Sequence, residues 1–184
     1  MKLRKRLALT TTAVAAAAAT TLLGTTAVHA ASARPAHIPA LHAPAALQVP
    51  AGNRLSGVFS AHGVQTYTCA DNAWKLLEPA ATLSKRRDPA HRPVALHSRG
   101  PVWVSTVDGS AVNASAVATS PKEGAVPELL LKATATRGTG TFADVTYVQR
   151  LDTVGGLAPS AACSGTGQLS VPYSATYAFY KPAG

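Results

Sequence analysis

LSVPYSATYAFY, residues 169–180, decides the fold. Leu169, Val171, Tyr173, Ala175, Tyr177 and Phe179 fall on one face of an extended chain, and Ser170, Pro172, Ser174, Thr176, Ala178 and Tyr180 on the other. Successive side chains of a strand point to opposite sides, so this alternation is what a strand with one buried face requires. Pro172 has no N–H for a ladder and belongs at an edge or a bulge. Further strand segments are read at 55–61, 64–69, 73–79, 93–98 and 141–151. In VPELLLKATA (126–135), Leu129, Leu130 and Leu131 are good helix formers. The run is short, begins at Val126-Pro127 and lacks a long helical stripe, so it reads as a strand, or a strand after one helical turn. Short strands separated by Gly, Pro and Asp predict an all-β fold: an antiparallel β-sandwich or barrel, in a single domain.

The chain opens with Lys2, Arg4, Lys5 and Arg6, followed by an apolar, Ala-rich run from Leu7 to Leu23. Val28-His29-Ala30 and Ala31-Ser32-Ala33 both place small residues where a signal peptidase reads. Residues 1–30 therefore read as a secretory signal peptide, and the protein is expected to be secreted and extracellular, with no membrane span after cleavage. Residues 31–46, rich in Ala and Pro, read as a linker, and residues 47–184 as the β domain. Four of the 17 basic groups belong to the signal, so the remainder carries 13 against 8 acidic groups, a net +5. The excess concentrates in KRRDPAHR (85–92), which reads as a solvated loop or a patch for anionic envelope polymers. No aromatic residue interleaves with it, so nucleic acid is not an expected partner. The two cysteines, Cys69 and Cys163, are expected to form a disulfide in an exported chain. Closing so long a loop stabilises a fold by up to ~4–5 kcal/mol in the chain-entropy treatment.

HSRGPVWVSTVDGSAVNASAVA (97–118) gathers a His, a Trp and an Asp. Asp108-Gly109 reads as a two-residue hairpin turn of the primed kind. Counting back from it, Ser105 faces Val112 and Trp103 faces Ala114, and Trp103, Val107, Val112 and Ala114 share a core face. Asp108 and Trp103 thus have sufficient structural explanations. His97, before Gly100-Pro101, is either a hydrogen-bonded structural His or part of a cleft with His62 or His91. There is no His-x-His pair, no HExxH, no GxSxG and no P-loop, so neither a metal site nor a cofactor is expected. Asp144 interrupts an apolar strand and reads as a solvent-face residue, with a functional acid as the alternative.

Six segments together resemble a known family. They are QTYTC (65–69) with Trp74 after it, LEPAATL (77–83), HSRGPVWVSTVDGS (97–110), VPELLLKATA (126–135), VTYVQRLDTVGGLAPSAAC (145–163) and VPYSATYAFY (171–180). In this order they resemble the secreted proteins grouped as domain of unknown function 3455, over about residues 47–181. The resemblance implies an exported, single-domain protein with no established activity. Both cysteines fall inside matching motifs, which supports their pairing. Gln65, Tyr67, Trp74, His97, Trp103, Asp108 and Gln149 occupy motif positions. This chain departs at Glu128, where the family pattern carries a Trp, so no aromatic role transfers there. The expected function is that of an extracellular or envelope-associated binding protein, with cell-envelope polysaccharide or another anionic polymer as partner. The alternative is a secreted hydrolase with a site near His97, Asp144 or Asp152 serving as its acid–base partner. Catalytic residues are not identified. The candidates for ligand contact are His97, Gln65, Tyr67 and Asp144.

Overall fold

The computed structural model describes residues 41–184. The segment read as a signal peptide (1–30) and the part of the expected linker up to residue 40 lie outside the described residues. Eight strands follow one another: β1 (Asn53–Ala70), β2 (Ala73–Lys85), β3 (Pro93–Ser98), β4 (Val102–Ser105), β5 (Ala111–Lys122), β6 (Ala125–Arg137), β7 (Tyr147–Gly155) and β8 (Gln168–Pro182). Each pairs antiparallel with the next, and β1 pairs with β8, so the sheet is a closed barrel in sequence order. Of the two architectures left open by the sequence, the barrel is the one formed. Closure leaves every strand paired on both sides over part of its length, which limits the exposed edge of eight amphipathic strands.

The alternation of 169–180 survives intact. Tyr173, Ala175, Tyr177 and Phe179 of β8 are buried in the barrel core. Pro172 sits where β7 has run out: the β7–β8 register ends at Gly155↔Tyr173, and the Pro172 carbonyl accepts from Gly156 N at 2.9 Å. Its missing N–H faces the same side, so no ladder bond is lost there. The two segments read at 55–61 and 64–69 are one strand, β1, and 126–135 is a strand throughout. Residues 141–146, by contrast, are turn and coil, and β7 starts only at Tyr147.

The lower end of the barrel, where β2–β3, β4–β5 and β6–β7 connect, is filled with rings. Phe142 comes in from the β6–β7 loop, fully buried, and packs on Phe179 at 4.6 Å and Phe59 at 6.0 Å between centroids. Asp108 explains why that loop is held. Its carboxylate accepts from Thr141 N at 2.9 Å, Thr141 Oγ1 at 2.7 Å and Ser110 Oγ at 2.5 Å, and Ser110 Oγ accepts from Phe142 N at 2.9 Å. The β4–β5 connection is therefore longer than a two-residue turn. Trp103 pairs with Val112, not Ala114, and Val107 is 74% exposed, not part of the core. Gly140 lies against the same carboxylate: a Cβ there would sit 2.4 Å from Asp108 Cγ. Asp108 is structural, as its sequence context suggested, but through long-range hydrogen bonds that a local turn does not predict.

A second, outer cluster joins the chain ahead of β1 to the wall. Leu47, fully buried, packs with Leu130 and Leu151, and Leu41, Ala43 and Val49 lie against them. Gln149 fixes this layer: its Nε2 donates to Leu47 O at 2.6 Å and its Oε1 accepts from Tyr180 Oη at 2.7 Å. At the upper end, Cys69 and Cys163 form the disulfide, tying the end of β1 to the β7–β8 loop.

Two outcomes follow. Phe142→Ala should cost ~3–5 kcal/mol in urea unfolding, the usual loss for a buried Phe, whereas Val107→Ala should stay within ~0.5 kcal/mol. Hydrogen bonds from Ser110 and Thr141 hold the Asp108 carboxyl far below its ordinary 3.8. A depressed carboxyl stabilises the fold above its unfolded value and loses that contribution as pH falls. Asp108→Asn should thus lower the melting temperature at pH 7, with the gap to the parent protein narrowing below about pH 3.8. A gap that is constant with pH would contradict this assignment.

Candidate functional site in the barrel cavity

The upper half of the barrel is filled only in part, by Tyr67, Val126 and Tyr173 among others. A cavity of about 290 Å³ lies there, at the low end for small-molecule sites. Strand lengths explain it. β3 and β4 form a short hairpin: β2 pairs with β3 only over Ala81–Ser84, and β5 pairs with β4 only over Ala111–Asn113. Above those pairs, β2 residues 73–80 and β5 residues 114–122 face no strand on that side. The wall has a notch, with the β3–β4 turn as its sill. Leu76, Leu77, Glu78 and Pro79 line one side, Arg99, Gly100 and Pro101 the sill, and Ala116 the other side. Arg99 Nε stands 3.6 Å from Glu78 Oε2, a half-exposed ion pair across the mouth.

Within, Gln65 (β1), His97 (β3), Trp103 (β4), Arg150 (β7) and Tyr177 (β8) line the cavity together with Leu129 and Leu131 of β6. The strand period sets this: each projects to the same side as a core residue two positions away, such as Ala95 for His97 and Val148 for Arg150. His97 stacks flat on Trp103, centroids 4.4 Å apart and planes 4° apart, with Tyr177 edge-on to both at 5.2 and 5.3 Å. His97 Nδ1 is 3.0 Å from Val102 O, so it carries the proton and Nε2 is left as an acceptor. Burial, helped by the Arg150 charge and opposed by the Val102 carbonyl, lowers the His97 pKa from 6.5 to about 4. The imidazole is neutral at pH 7.

Polar groups here are short of partners. Gln65 Nε2 and Trp103 Nε1 are buried with no hydrogen-bond partner, and the buried Tyr177 and Tyr173 hydroxyls, neighbours of each other and of Arg150, close no hydrogen bond of good geometry. Arg150 spends two N–H groups on one carbonyl, Nε and Nη2 both donating to Pro127 O at 3.1 and 2.8 Å. Among the described residues no carboxylate lies within ion-pair distance of its guanidinium. Burial raises the Tyr173 and Tyr177 phenols well above their ordinary value against the pull of that charge, so both remain O–H donors.

Of the ligand candidates named from sequence, the structure brings His97 and Gln65 together in the cavity. Tyr67 is buried outside it, its hydroxyl donating to Gly156 O at 2.5 Å. Asp144 is exposed in the β6–β7 loop at the opposite end, with φ 58°, and Asp152 is exposed at a bulge of β7, also with positive φ. Neither lines the cavity with His97. His62 and His91 face one another at 6.1 Å, apart from His97. Glu128 is buried and accepts from Asp152 N at 2.8 Å with Lys122 at 3.4 Å, which makes it the fastener of that bulge. Arg150 was missed. In Val148-Gln149-Arg150-Leu151 the strand period puts the arginine on the face of Val148, and closure of the barrel makes that face the interior.

The buried neutral imidazole gives a pH dependence. A histidine whose folded pKa lies below its unfolded one contributes stability above the unfolded value and loses it as pH falls toward the folded one. Stability should therefore decline from about pH 6.5 to about pH 4, and His97→Phe, which keeps a ring against Trp103, should flatten that interval. Denaturant midpoints measured across it decide the matter; parallel profiles would contradict the assignment.

Among the described residues no helix is long and apolar enough to cross a membrane, and no group of three or more His, Cys, Asp or Glu side chains is arranged to hold a metal ion. No curated protein and no solved structure matches the chain. The model of the family described as Protein of unknown function (DUF3455) matches residues 50–181, which span all eight strands up to Lys181, the disulfide and every residue of the cavity, and the chain belongs to that family.

Proposed function

We propose that this is an exported binding protein that takes a small molecule into the barrel cavity through the notch above β3 and β4. The observation that carries the reading is the set of buried donors, Gln65 Nε2, Trp103 Nε1 and Tyr177 Oη, left without partners around one cavity. An unpaired buried donor costs roughly 1–3 kcal/mol, and native proteins keep few of them. A ligand acceptor satisfies them. An eight-stranded barrel has an interior that side chains either fill or leave open for one small ligand. The disulfide and the signal-like N-terminus favour action outside the cytoplasm.

The hydrolase reading has less support. His97 Nδ1 is committed to Val102 O, no acid stands beside it, and its basicity is low. A general base needs a pKa near the working pH and a partner that orients it. The basic loop offers an envelope polymer little more. Asp88 engages Arg92 at 2.8 Å, and the exposed Lys85, Arg86 and Arg87 that remain lie at the end of the barrel away from the mouth.

A ligand that binds only the folded state raises its stability by mass action, about 2.7 kcal/mol at a hundred times its dissociation constant. Thermal unfolding of the purified protein against a library of neutral, cationic and anionic small molecules should find compounds that raise the melting temperature. Ala116→Trp, which closes the mouth, should abolish the effect. No stabilising compound in the library, or stabilisation only by cell-envelope polysaccharide that Ala116→Trp leaves intact, would overturn the cavity reading.

A further inference from the structure

The geometry points to a small organic acid as the ligand: a carboxylate on an apolar body, its charge paired with Arg150 and its oxygens accepting from Trp103 Nε1, Gln65 Nε2 and Tyr177 Oη. This deepens the cavity-binding reading and rests on it.

Around the cavity, donors outnumber acceptors: His97 Nε2, the Gln65 side-chain oxygen and the Tyr177 oxygen can accept, but none carries a negative charge. A guanidinium has five N–H groups, and Arg150 uses two. An indole N–H and a protonated phenol add one donor each, and the Gln65 amide nitrogen adds two. The acid that lines the cavity, Glu78, stands at the mouth and is engaged with Arg99. The interior thus holds an excess of positive charge and hydrogen, with no anion of its own. A cationic ligand would meet Arg150 unpaired. A neutral ligand would leave the guanidinium charge uncompensated in a partly buried site. A carboxylate answers both, since an arginine fork takes a carboxylate through two N–H groups at once.

The remaining surface is apolar. Leu76, Leu77 and Pro79 from β2, Leu129 and Leu131 from β6, and Ala116 from β5 line the cavity alongside the donors. An acid entering head first would place its carboxylate among the donors and its hydrocarbon against these side chains. Small size follows from the 290 Å³ volume. The Arg99–Glu78 pair across the opening makes a surface-exposed latch that a ligand displaces at little cost, because exposed ion pairs are weak.

The experiment compares matched pairs that differ only in charge, benzoate with benzamide and hexanoate with hexanamide, by isothermal titration calorimetry on the purified protein. The acids should bind and the amides should bind at least about tenfold more weakly, the scale of one charged hydrogen bond. Arg150→Met should abolish the preference for the acid. Because that variant also loses the Pro127 bond, Trp103→Phe and Tyr177→Phe provide the second arm: each keeps a ring in the core, removes one donor and should weaken benzoate without changing the affinity order of the hydrocarbon bodies. If the amides bind as well as the acids and Arg150→Met changes nothing, the cavity binds ligands but not through an acid, and this inference falls alone. If neither acids nor amides nor any other small molecule binds, the cavity reading falls with it.

Discussion

Closure of the sheet is the constraint on which everything else rests. β1 is paired along both edges, with β2 on one side and with β8 from Asn53 to Thr68 on the other. That single seam turns one face of eight strands into an interior and the other into an outside. With eight strands, the interior has room for either side chains or one small guest. Here it has both. Aromatic rings fill the lower half, and small residues make space for them: Ala61, Ala81, Ala95, Ala114 and Ala175 are all buried in the same core as Trp103 and Phe142. At Gly63, β1 runs so close to β2 that a Cβ would sit 2.1 Å from Ala80 O. The upper half stays open on one side because the β3–β4 hairpin is too short to wall it and no large apolar side chain reaches in from β5.

The strand alternation of 169–180 was legible because burial there follows the local period, His97 was legible as a structural or cleft histidine, and Gln65 entered only through the family resemblance. Three things were not. Asp108-Gly109 carries the composition of a tight hairpin turn, yet the Asp carboxylate is taken by Thr141, more than thirty residues on, and the connection opens to accommodate it. No local pattern encodes that bond. Asp144 looked like a strand residue because TFADVTYV is β-compatible, but Phe142 is needed as the plug of the lower end, and a plug must leave the wall. Arg150 passed unremarked because arginines on strands usually face solvent. Only closure puts its face inside. The same topology carries His62 to the outer face, opposite His91 and away from His97, so a cleft of His97 with His62 or His91 does not form.

The cavity also sets stability against function. Unpaired donors on Gln65, Trp103 and Tyr177 weaken a core, and each costs on the order of 1–3 kcal/mol. The disulfide, which closes a separation of 94 residues, and the outer layer of Leu47, Leu130 and Leu151 are what offset that loss. Replacing the donors by apolar groups of similar shape would make a more stable barrel with nothing to hold. Such local sacrifices concentrate at working sites.

The most direct measurement is a ¹H–¹⁵N spectrum of the protein recorded while benzoate is added. The chain has two tryptophans. Trp103 is fully buried with its Nε1 facing no acceptor, whereas Trp74 lies on β2 away from the cavity lining and serves as the internal control. The Trp103 indole signal and the Arg150 Nε signal should move together, saturably, while the Trp74 indole stays in place. If both indole signals stay fixed at saturating benzoate, or if Trp74 moves and Trp103 does not, the barrel cavity is not the binding site and the central claim is wrong.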